Sequence, residues 1–191
     1  MFIEIVGYLS GLAMLASFAP YIKDIFLGKT KPERISWFIW SILGLIAIFS
    51  QLDKGASFSL IMTIAQALGD TVIFILTIKW GLGGFSKRDI FALIAAGLGL
   101  LLWYLTKEAT IALLMVIFID GTGVFLTVIK SYEKPSTETI STWWLTFISG
   151  ILACLAVGNF NIILLAFPFY IGLAGLSILI AVKLGHKRLA K

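Results

Sequence analysis

The chain has 191 residues, of which 60% are hydrophobic and only 13% are charged, and its mean hydropathy is +1.03. This composition excludes an ordinary soluble domain and is typical of a protein that lies in a lipid bilayer. The single cysteine, Cys154, excludes a disulfide framework. The net charge of +5 comes from basic residues that follow the apolar segments rather than from one patch, so we expect no nucleic-acid partner.

Seven apolar segments are candidates for membrane-spanning helices, which need about 20 mostly apolar residues each. They cover residues 2–22, 35–51, 58–79, 90–106, 110–130, 140–157 and 162–183. The second and fourth are the shortest. The sequence therefore predicts an all-α, polytopic membrane protein with seven transmembrane helices.

The basic residues indicate how these helices are oriented in the membrane. Of the 15 Lys and Arg residues, all except Lys54 and Lys107 follow the first, third, fifth or seventh segment. Basic residues concentrate on the cytoplasmic side of membrane proteins. We therefore expect the N-terminus outside and the C-terminus in the cytoplasm.

A set of short landmarks recurs about 104 positions later in the chain. The matching pairs are Ser17 to Pro20 with Asp120 to Gly123, Lys29 to Pro32 with Tyr132 to Pro135, Ile35-Ser36 with Ile140-Ser141, and Lys79 to Gly81 with Lys183 to Gly185. A constant displacement indicates a duplicated helical unit. Three helices return the chain to the opposite face, so one extra crossing between the copies keeps the copies parallel. The predicted arrangement is 3+1+3, with a first repeat at 1–81, a linker helix at 82–109 and a second repeat at 110–191.

This layout, with Pro20 near the inner end of the first segment and a basic loop leading into Ser36, resembles the PQ-loop and SWEET group of small-solute transporters. Pro20-Tyr21 stands where that group has Pro-Gln, and the second copy has Gly123-Val124 without a proline. The resemblance implies two parallel triplets with a substrate pocket near the membrane midplane. Residues 20–40 and 86–135 also look like a group of bacterial membrane proteins, which implies the bacterial inner membrane.

Asp70 and Asp120 are the only acids deep inside apolar segments. An aspartate at the bilayer centre costs about 2.5–3.5 kcal/mol on insertion scales, so its default interpretation is functional. We expect both to face the interior of the bundle and to bind a proton or a cationic group of the substrate. The alternative is a neutral acid that holds two helices together by hydrogen bonds. Asp120 corresponds to Ser17 and Asp70 to Ala174 in the other copy, so each departs from the repeat.

Tryptophans recur at the starts of the second and sixth segments. Trp37 and Trp40 share one helix face, and Trp143 and Trp144 occupy the corresponding start in the second copy. Aromatic planes that oppose each other across a pseudo-two-fold axis could hold a flat ring or a sugar face, which predicts Trp40 and Trp144 as pocket residues. The alternative is an interfacial belt, because all four lie near the cytoplasmic ends.

Two further polar residues are candidates for the same pocket. Gln66 lies four residues before Asp70 on the same helix face, so its amide and the carboxylate can face one cavity. Tyr170 is the repeat counterpart of Gln66, 104 positions later. We therefore predict that Gln66 and Tyr170 bind the substrate together with the two aspartates and the two tryptophans.

Prolines and glycines inside the apolar segments are candidates for a hinge or gate. Pro20 and Pro168 each free a backbone carbonyl that needs another partner, although a packing kink is an alternative for both. Gly121 and Gly123 allow a close backbone approach and loosen the helix. A further small-residue pair in the first segment, Gly7 and Gly11, predicts a tight helix contact or an interface between protomers of a homo-oligomer.

We therefore predict a transporter that moves a small polar or aromatic solute by alternating access, coupled to protons if an acid titrates during the cycle. One alternative is a facilitator for a vitamin precursor or a nucleoside. Another is a membrane receptor, sorting factor or scaffold on the same fold, although every loop is short. Neither a metal-ligand cluster nor a nucleophile–base pair is recognisable, so we predict no enzyme activity, no metal and no cofactor. The expected partners are a small-molecule substrate and the lipid bilayer.

Overall fold

The computed structural model describes the chain except residues 30, 31, 33, 82–86, 88, 89, 92, 93, 95, 96, 99, 100, 102, 103, 106, 107 and 191. Its elements are α1 (Phe2–Phe26), α2 (Arg34–Asp53), α3 (Leu60–Trp80), α4 (Ala109–Glu133), α5 (Ile140–Ala156) and α6 (Ile162–Leu189), with a 3₁₀ turn at Pro135–Thr137. The described part of the chain contains no strand. The prediction of an all-α protein is confirmed.

The lengths of these helices suit a bilayer. All of them except α5 are long and apolar enough to cross a membrane, and α5 has 17 residues. Helices are the natural form of such segments because hydrocarbon offers no hydrogen-bond partner to the backbone. The six helices coincide with six of the seven predicted segments. In the remaining one, 90–106, only residues 90, 91, 94, 97, 98, 101, 104 and 105 are described, and most of the predicted linker 82–109 lies outside the described residues.

The six helices form a closed ring of neighbours. In order around the ring, α1 contacts α3, α3 contacts α2, α2 contacts α4, α4 contacts α6, α6 contacts α5, and α5 contacts α1. In both groups of three, α1 to α3 and α4 to α6, the last helix of the group lies between the first two. The ring leaves a space at its centre, which holds the candidate site.

Residue contacts give the direction of each helix. On α1 and α3, Gly11 lies against Ile61 and Phe18 against Gly69, so these two helices run parallel. The backbone carbonyl of Ser10 accepts a hydrogen bond from Ser149, and that of Ser17 accepts one from Thr142. These two bonds make α1 antiparallel to α5.

The second group has the same internal directions. Tyr170 on α6 contacts Asp120 on α4, and Gly185 on α6 lies against Tyr132 on α4, so α4 and α6 run parallel. Helix α5 is antiparallel to α6, because Gly150 lies against Gly172 while Phe147, earlier on α5, lies against Gly175, later on α6. As a result α1, α3, α4 and α6 all point the same way.

Glycines set how closely the helices approach. A Cβ atom added to Gly7 would lie 2.7 Å from the Phe58 backbone, and one added to Gly11 would lie 2.6 Å from Ile61. The Gly7 and Gly11 pair is therefore used within the chain, at the contact between α1 and α3. The turns after α2 and α5 each contain a glycine in the left-handed region, Gly55 with φ +81° and Gly158 with φ +76°, a conformation that glycine adopts without steric cost.

We expect Gly150→Ala to destabilise the bundle. The added Cβ atom would lie 2.5 Å from the Gly172 nitrogen and 2.8 Å from the Pro168 carbonyl oxygen, and backbone atoms cannot move aside cheaply. The expected loss is about 1–3 kcal/mol of unfolding free energy. Gly123→Ala is the matched control, since its Cβ atom would lie 3.8 Å from Trp40, and we expect it to be neutral or stabilising by up to about 1 kcal/mol. Unfolding in detergent micelles followed by circular dichroism would compare them, and equal midpoints would contradict this account of the contact.

Candidate functional site

A cavity of about 420 Å³ lies at the centre of the ring and is lined by residues from all six helices. Its walls include Asp70, Gln66 and Trp40, and also Asp120, all of which were predicted as site residues. The two acids lie near the middle of α3 and α4 respectively. The expectation that both aspartates face the interior of the bundle agrees with this placement.

Asp70 is the most deeply buried acid in the described part of the chain, with 5% of its surface exposed. The described residues form no hydrogen bond to its carboxylate, and its one electrostatic partner among them is another acid, Asp120. A buried charge without a partner is costly, and a second like charge nearby raises that cost. Asp70 therefore needs either a proton or a cation.

Asp120 has one hydrogen-bond partner among the described residues. The Tyr170 hydroxyl donates a hydrogen bond to Asp120 Oδ2 at 2.6 Å, which joins α6 to α4. The alternative of an acid that links two helices is therefore realised at Asp120, although Asp120 also lines the cavity. Tyr170 acts on the cavity through this carboxylate, which differs from the direct substrate contact that was predicted for it.

Gln66 presents an unused acceptor to the cavity. Its Oε1 atom is buried and has no hydrogen-bond partner among the described residues, although Gln66 lines the cavity wall. A buried amide oxygen without a partner costs about 1–3 kcal/mol. A ligand that brings a donor to this position would recover that free energy.

The aromatic side chains form the wall on the side of α2. The Trp37 and Trp40 rings meet edge to face with centroids 4.9 Å apart, and the Tyr21 ring lies 5.2 Å from Trp37. All three line the cavity. Trp40 therefore occupies the position predicted for it, and Trp37 joins it.

Charged residues lie at the end of the cavity where α4 ends. Lys130 Nζ lies 3.0 Å from Glu138 Oε1, and the Trp143 indole donates to Glu138 Oε2 at 3.0 Å. The Lys130 side chain is 56% exposed, whereas that of Glu138 is 8% exposed. The cavity therefore extends from the middle of the bundle to this end. There the charge of Lys130 is neutralised by Glu138.

At the opposite end of the bundle, apolar side chains fill the centre of the ring. The buried cluster there contains Ala47 of α2, Met62 of α3, Leu113 of α4, Ala153 of α5 and Phe167 of α6. Each of these side chains is at most 2% exposed. The cavity is thus accessible at one end of the bundle and blocked at the other.

Trp144 is not where the sequence placed it. Its ring is 50% exposed, and it contacts Phe147 on the outer surface, while Trp143 lines the cavity instead. Consecutive residues on a helix point about 100° apart, because one turn takes 3.6 residues. A repeat displacement that varies by one residue therefore does not decide which of two adjacent tryptophans points inward.

The predicted hinge residues lie in unbroken helices. Pro20 lies inside α1 and Pro168 inside α6, and both helices continue past them. Gly121 and Gly123 leave room for Tyr170 and Trp40 respectively, at distances of ordinary contact from an added Cβ atom. Their role as a gate stays a prediction.

The residues that line the cavity and were not predicted as site residues include Tyr21, Lys130, Glu138 and Trp143. Lys130 had been explained by membrane topology alone. One signal was available, since Glu138 stands 104 positions after Arg34 and so reverses a charge between the copies. Among the described residues, no group of three or more His, Cys, Asp or Glu side chains is placed to hold a metal ion.

The long apolar helices define an α-helical integral membrane protein. Comparison with known proteins finds no matching family model, no matching curated protein and no matching solved structure.

Tyr170→Phe should weaken the contact between α4 and α6. The substitution removes the one hydrogen bond that the described residues donate to the Asp120 carboxylate, and we expect a loss of about 1–3 kcal/mol. Tyr8→Phe is the matched control, because Tyr8 is 54% exposed on the outside of α1 and its loss should stay within about 0.5 kcal/mol. Equilibrium unfolding in mixed micelles would measure both, and equal effects would argue against a structural role for the bond.

Proposed function

We propose that the chain is a transporter that moves a small polar or aromatic solute across the membrane by alternating access. The observation that carries this proposal is a cavity of about 420 Å³ between two groups of three helices, to which each group contributes one aspartate. This volume lies within the usual range for small-molecule sites. A site that is open at one end and blocked at the other is what one access state of a carrier requires.

The order in which the helices contact one another supports the interpretation that the two groups, 1–81 and 110–191, are copies of one unit. The third helix lies between the first and second in each group, and the contact between α1 and α5 is matched by that between α4 and α2. Gly55 and Gly158, both with positive φ, lie 103 positions apart in equivalent turns. The common direction of α1 and α4 supports parallel copies, as in transporters related by an axis along the membrane normal.

The same directions support the predicted seventh crossing. Because α3 and α4 point the same way, α3 ends at one end of the bundle and α4 begins at the other, so the chain between them has to return across the membrane. The apolar segment 90–106 of the sequence is the candidate for this crossing. Between α3 and α4 the described positions 87, 90, 91, 94, 97, 98, 101, 104 and 105 are helical and exposed.

The proposed state faces the cytoplasm. The cavity reaches the end of the bundle where α1, α3, α4 and α6 end, and most basic residues of the sequence follow these helices. The positive-inside rule makes this end cytoplasmic, in the bacterial inner membrane that the resemblance implied. The outward-facing state would form when one triplet rocks against the other and the closed half opens.

The contact between α1 and α5 is suited to act as the pivot of this motion. Ser149 donates to the Ser10 carbonyl at 2.7 Å and Thr142 donates to the Ser17 carbonyl at 3.1 Å. These bonds tie α1 to α5 both in the closed half and beside the cavity. On the other side of the ring, α2 and α4 pack less closely at Gly123, where an added Cβ atom would lie 3.8 Å from Trp40.

Cysteine labelling tests alternating access without knowledge of the substrate. In a Cys154→Ser background, Thr127→Cys places a thiol on the cavity wall and Ala112→Cys places one in the closed half. We expect a membrane-impermeant cationic methanethiosulfonate to modify Thr127→Cys from the cytoplasmic face only. Ala112→Cys should react from the outer face only, on the order of tenfold more slowly, because it reacts only when a minor outward-open state is populated. Mass spectrometry on inside-out and right-side-out vesicles would measure both rates.

Phe125→Cys is the matched control on α4, since Phe125 is 64% exposed on the outside of the ring and a thiol in lipid should not react from either face. Labelling of every thiol after denaturation would show that each remains intact. If Ala112→Cys reacts from neither face while Thr127→Cys reacts normally, the cavity is a one-sided binding pocket. That outcome would favour the receptor alternative over a transporter.

A further inference from the structure

We propose that the cavity binds the ammonium group of a small organic amine, and that this ammonium exchanges with protons held by Asp70 and Asp120. The inference names the substrate class of the site and rests, for its transport step, on the function proposed above. It stands on the charge, the hydrogen-bonding capacity and the aromatic walls of the cavity.

The fixed charges of the cavity favour a cation. Of the residues that the structure describes, four with charged side chains line it: Asp70, Asp120, Lys130 and Glu138. Lys130 is paired with Glu138 at 3.0 Å, so the two aspartates are left without a basic partner among the described residues. A carboxylate in a low-dielectric site is stabilised by an opposite charge far more strongly than in water. A neutral sugar or an anion would leave this need unmet.

The hydrogen-bonding atoms without a partner at the deep end of the cavity are acceptors. Asp70 receives no hydrogen bond from the described residues, and the buried Oε1 of Gln66, one turn earlier on the same helix, is also without a donor. Asp120 receives a single bond from Tyr170. A primary ammonium carries three donors and no acceptor, which matches this set. A quaternary ammonium carries the charge but no donor, so it would leave Gln66 unsatisfied.

The remaining walls favour an organic body over a bare metal ion. Tyr21, Trp37 and Trp40 present aromatic rings to the same space. Aromatic faces attract organic cations and bury the apolar surface next to them. A volume of about 420 Å³ is also far larger than a single ion needs.

Two acids in one apolar cavity cannot both stay ionised when the cavity is empty, since like charges in a low-dielectric site repel. The other ionisable groups around them do not change this. Tyr21 on α1 and Tyr170 on α6 stay neutral between pH 5 and 8, Lys130 and Glu138 neutralise each other, and the Arg34 guanidinium on α2 donates to the Thr77 and Ile78 carbonyls at the end of α3. At least one of the two carboxyls therefore holds a proton until a cation replaces it.

The exchange is balanced in charge. An ammonium ion enters, pairs with a carboxylate, and the proton that this carboxyl held leaves to the same aqueous phase. On the other side of the membrane a proton returns to the carboxyl and the ammonium ion leaves. Because Asp70 belongs to one triplet and Asp120 to the other, a bound cation would attract both triplets and bias their relative position.

Binding to the purified full-length protein in detergent tests the proposal. The probe is 2-phenylethylamine, compared with the matched neutral 2-phenylethanol and with trimethyl(2-phenylethyl)ammonium. We expect the amine to bind at least about tenfold more tightly than either analogue, which is about 1.4 kcal/mol. Proton and amine compete for the same oxygens, so the Kd of the amine should fall as pH rises from 6 to 8, by about tenfold per pH unit for each proton displaced.

Calorimetry in two buffers of different ionisation enthalpy counts the protons released. Asp70→Asn and Asp120→Asn should each weaken amine binding by more than about tenfold and release fewer protons, because an amide carries no charge to pair. Glu4→Gln is the matched control, since Glu4 lies exposed in the first turn of α1 and binding should not change. If an Asn variant does not fold, the comparison of amine with alcohol and the pH dependence of the unmodified protein still decide the question.

The inference is overturned if the alcohol binds as tightly as the amine, or if the amine binds without proton release or pH dependence. It is also overturned if 2-phenylethylamine, histamine and butane-1,4-diamine all fail to bind, or if NaCl at matched concentration displaces the amine completely. If the amine binds but Ala112→Cys is not labelled from the outer face, the amine site is supported and the transport function is rejected. If Thr127→Cys and Ala112→Cys react from opposite faces but no amine binds, the transport function is supported and the proposed substrate class is rejected.

Discussion

A polar group inside a bilayer has to find its partner within the protein, and the whole structure follows from that constraint. The backbone meets it by forming helices. The hydroxyls of Ser17 and Thr77 meet it by donating to carbonyls one turn earlier in their own helices, and Ser149 meets it on a neighbouring helix. The aspartates cannot meet it in lipid, so they turn into the ring. There Asp120 is partly satisfied by Tyr170, and Asp70 is left for a ligand or a proton.

The ring repeats the same order of helices in its two groups of three, but the polar groups of the two groups differ. Where α4 and α6 provide the Asp120 and Tyr170 pair, the predicted repeat places Ser17 and Gln66 at the matching positions of α1 and α3. Ser17 donates to the Met14 carbonyl instead, which leaves Gln66 Oε1 without a partner. Matched contacts suit a frame in which two like halves move against each other, whereas unmatched polar groups suit one ligand held in one orientation. We propose that the protein uses both.

Much of the fold could be predicted because its signals are local. The length of an apolar run shows by itself whether it can cross a bilayer, and six predicted segments are helices in the structure. The aspartates could be predicted to face inward because lipid excludes the alternative. The site was harder to predict at Trp144. The repeat is uncertain by one residue there, and the indole in fact lies on the outer surface. It was hardest at Glu138, whose partners Lys130 and Trp143 come from two different helices.

The sequence by itself determined the class of protein, the number and place of the apolar segments and the two acids that must avoid lipid, because each depends on composition within one segment. Only the tertiary structure decided which helices are neighbours, which end of the cavity is blocked, and which polar atoms remain without a partner. These properties depend on close approaches such as Gly150 to Gly172 and on pairs such as Tyr170 and Asp120. The residues involved lie far apart along the chain, so no local pattern carries the information.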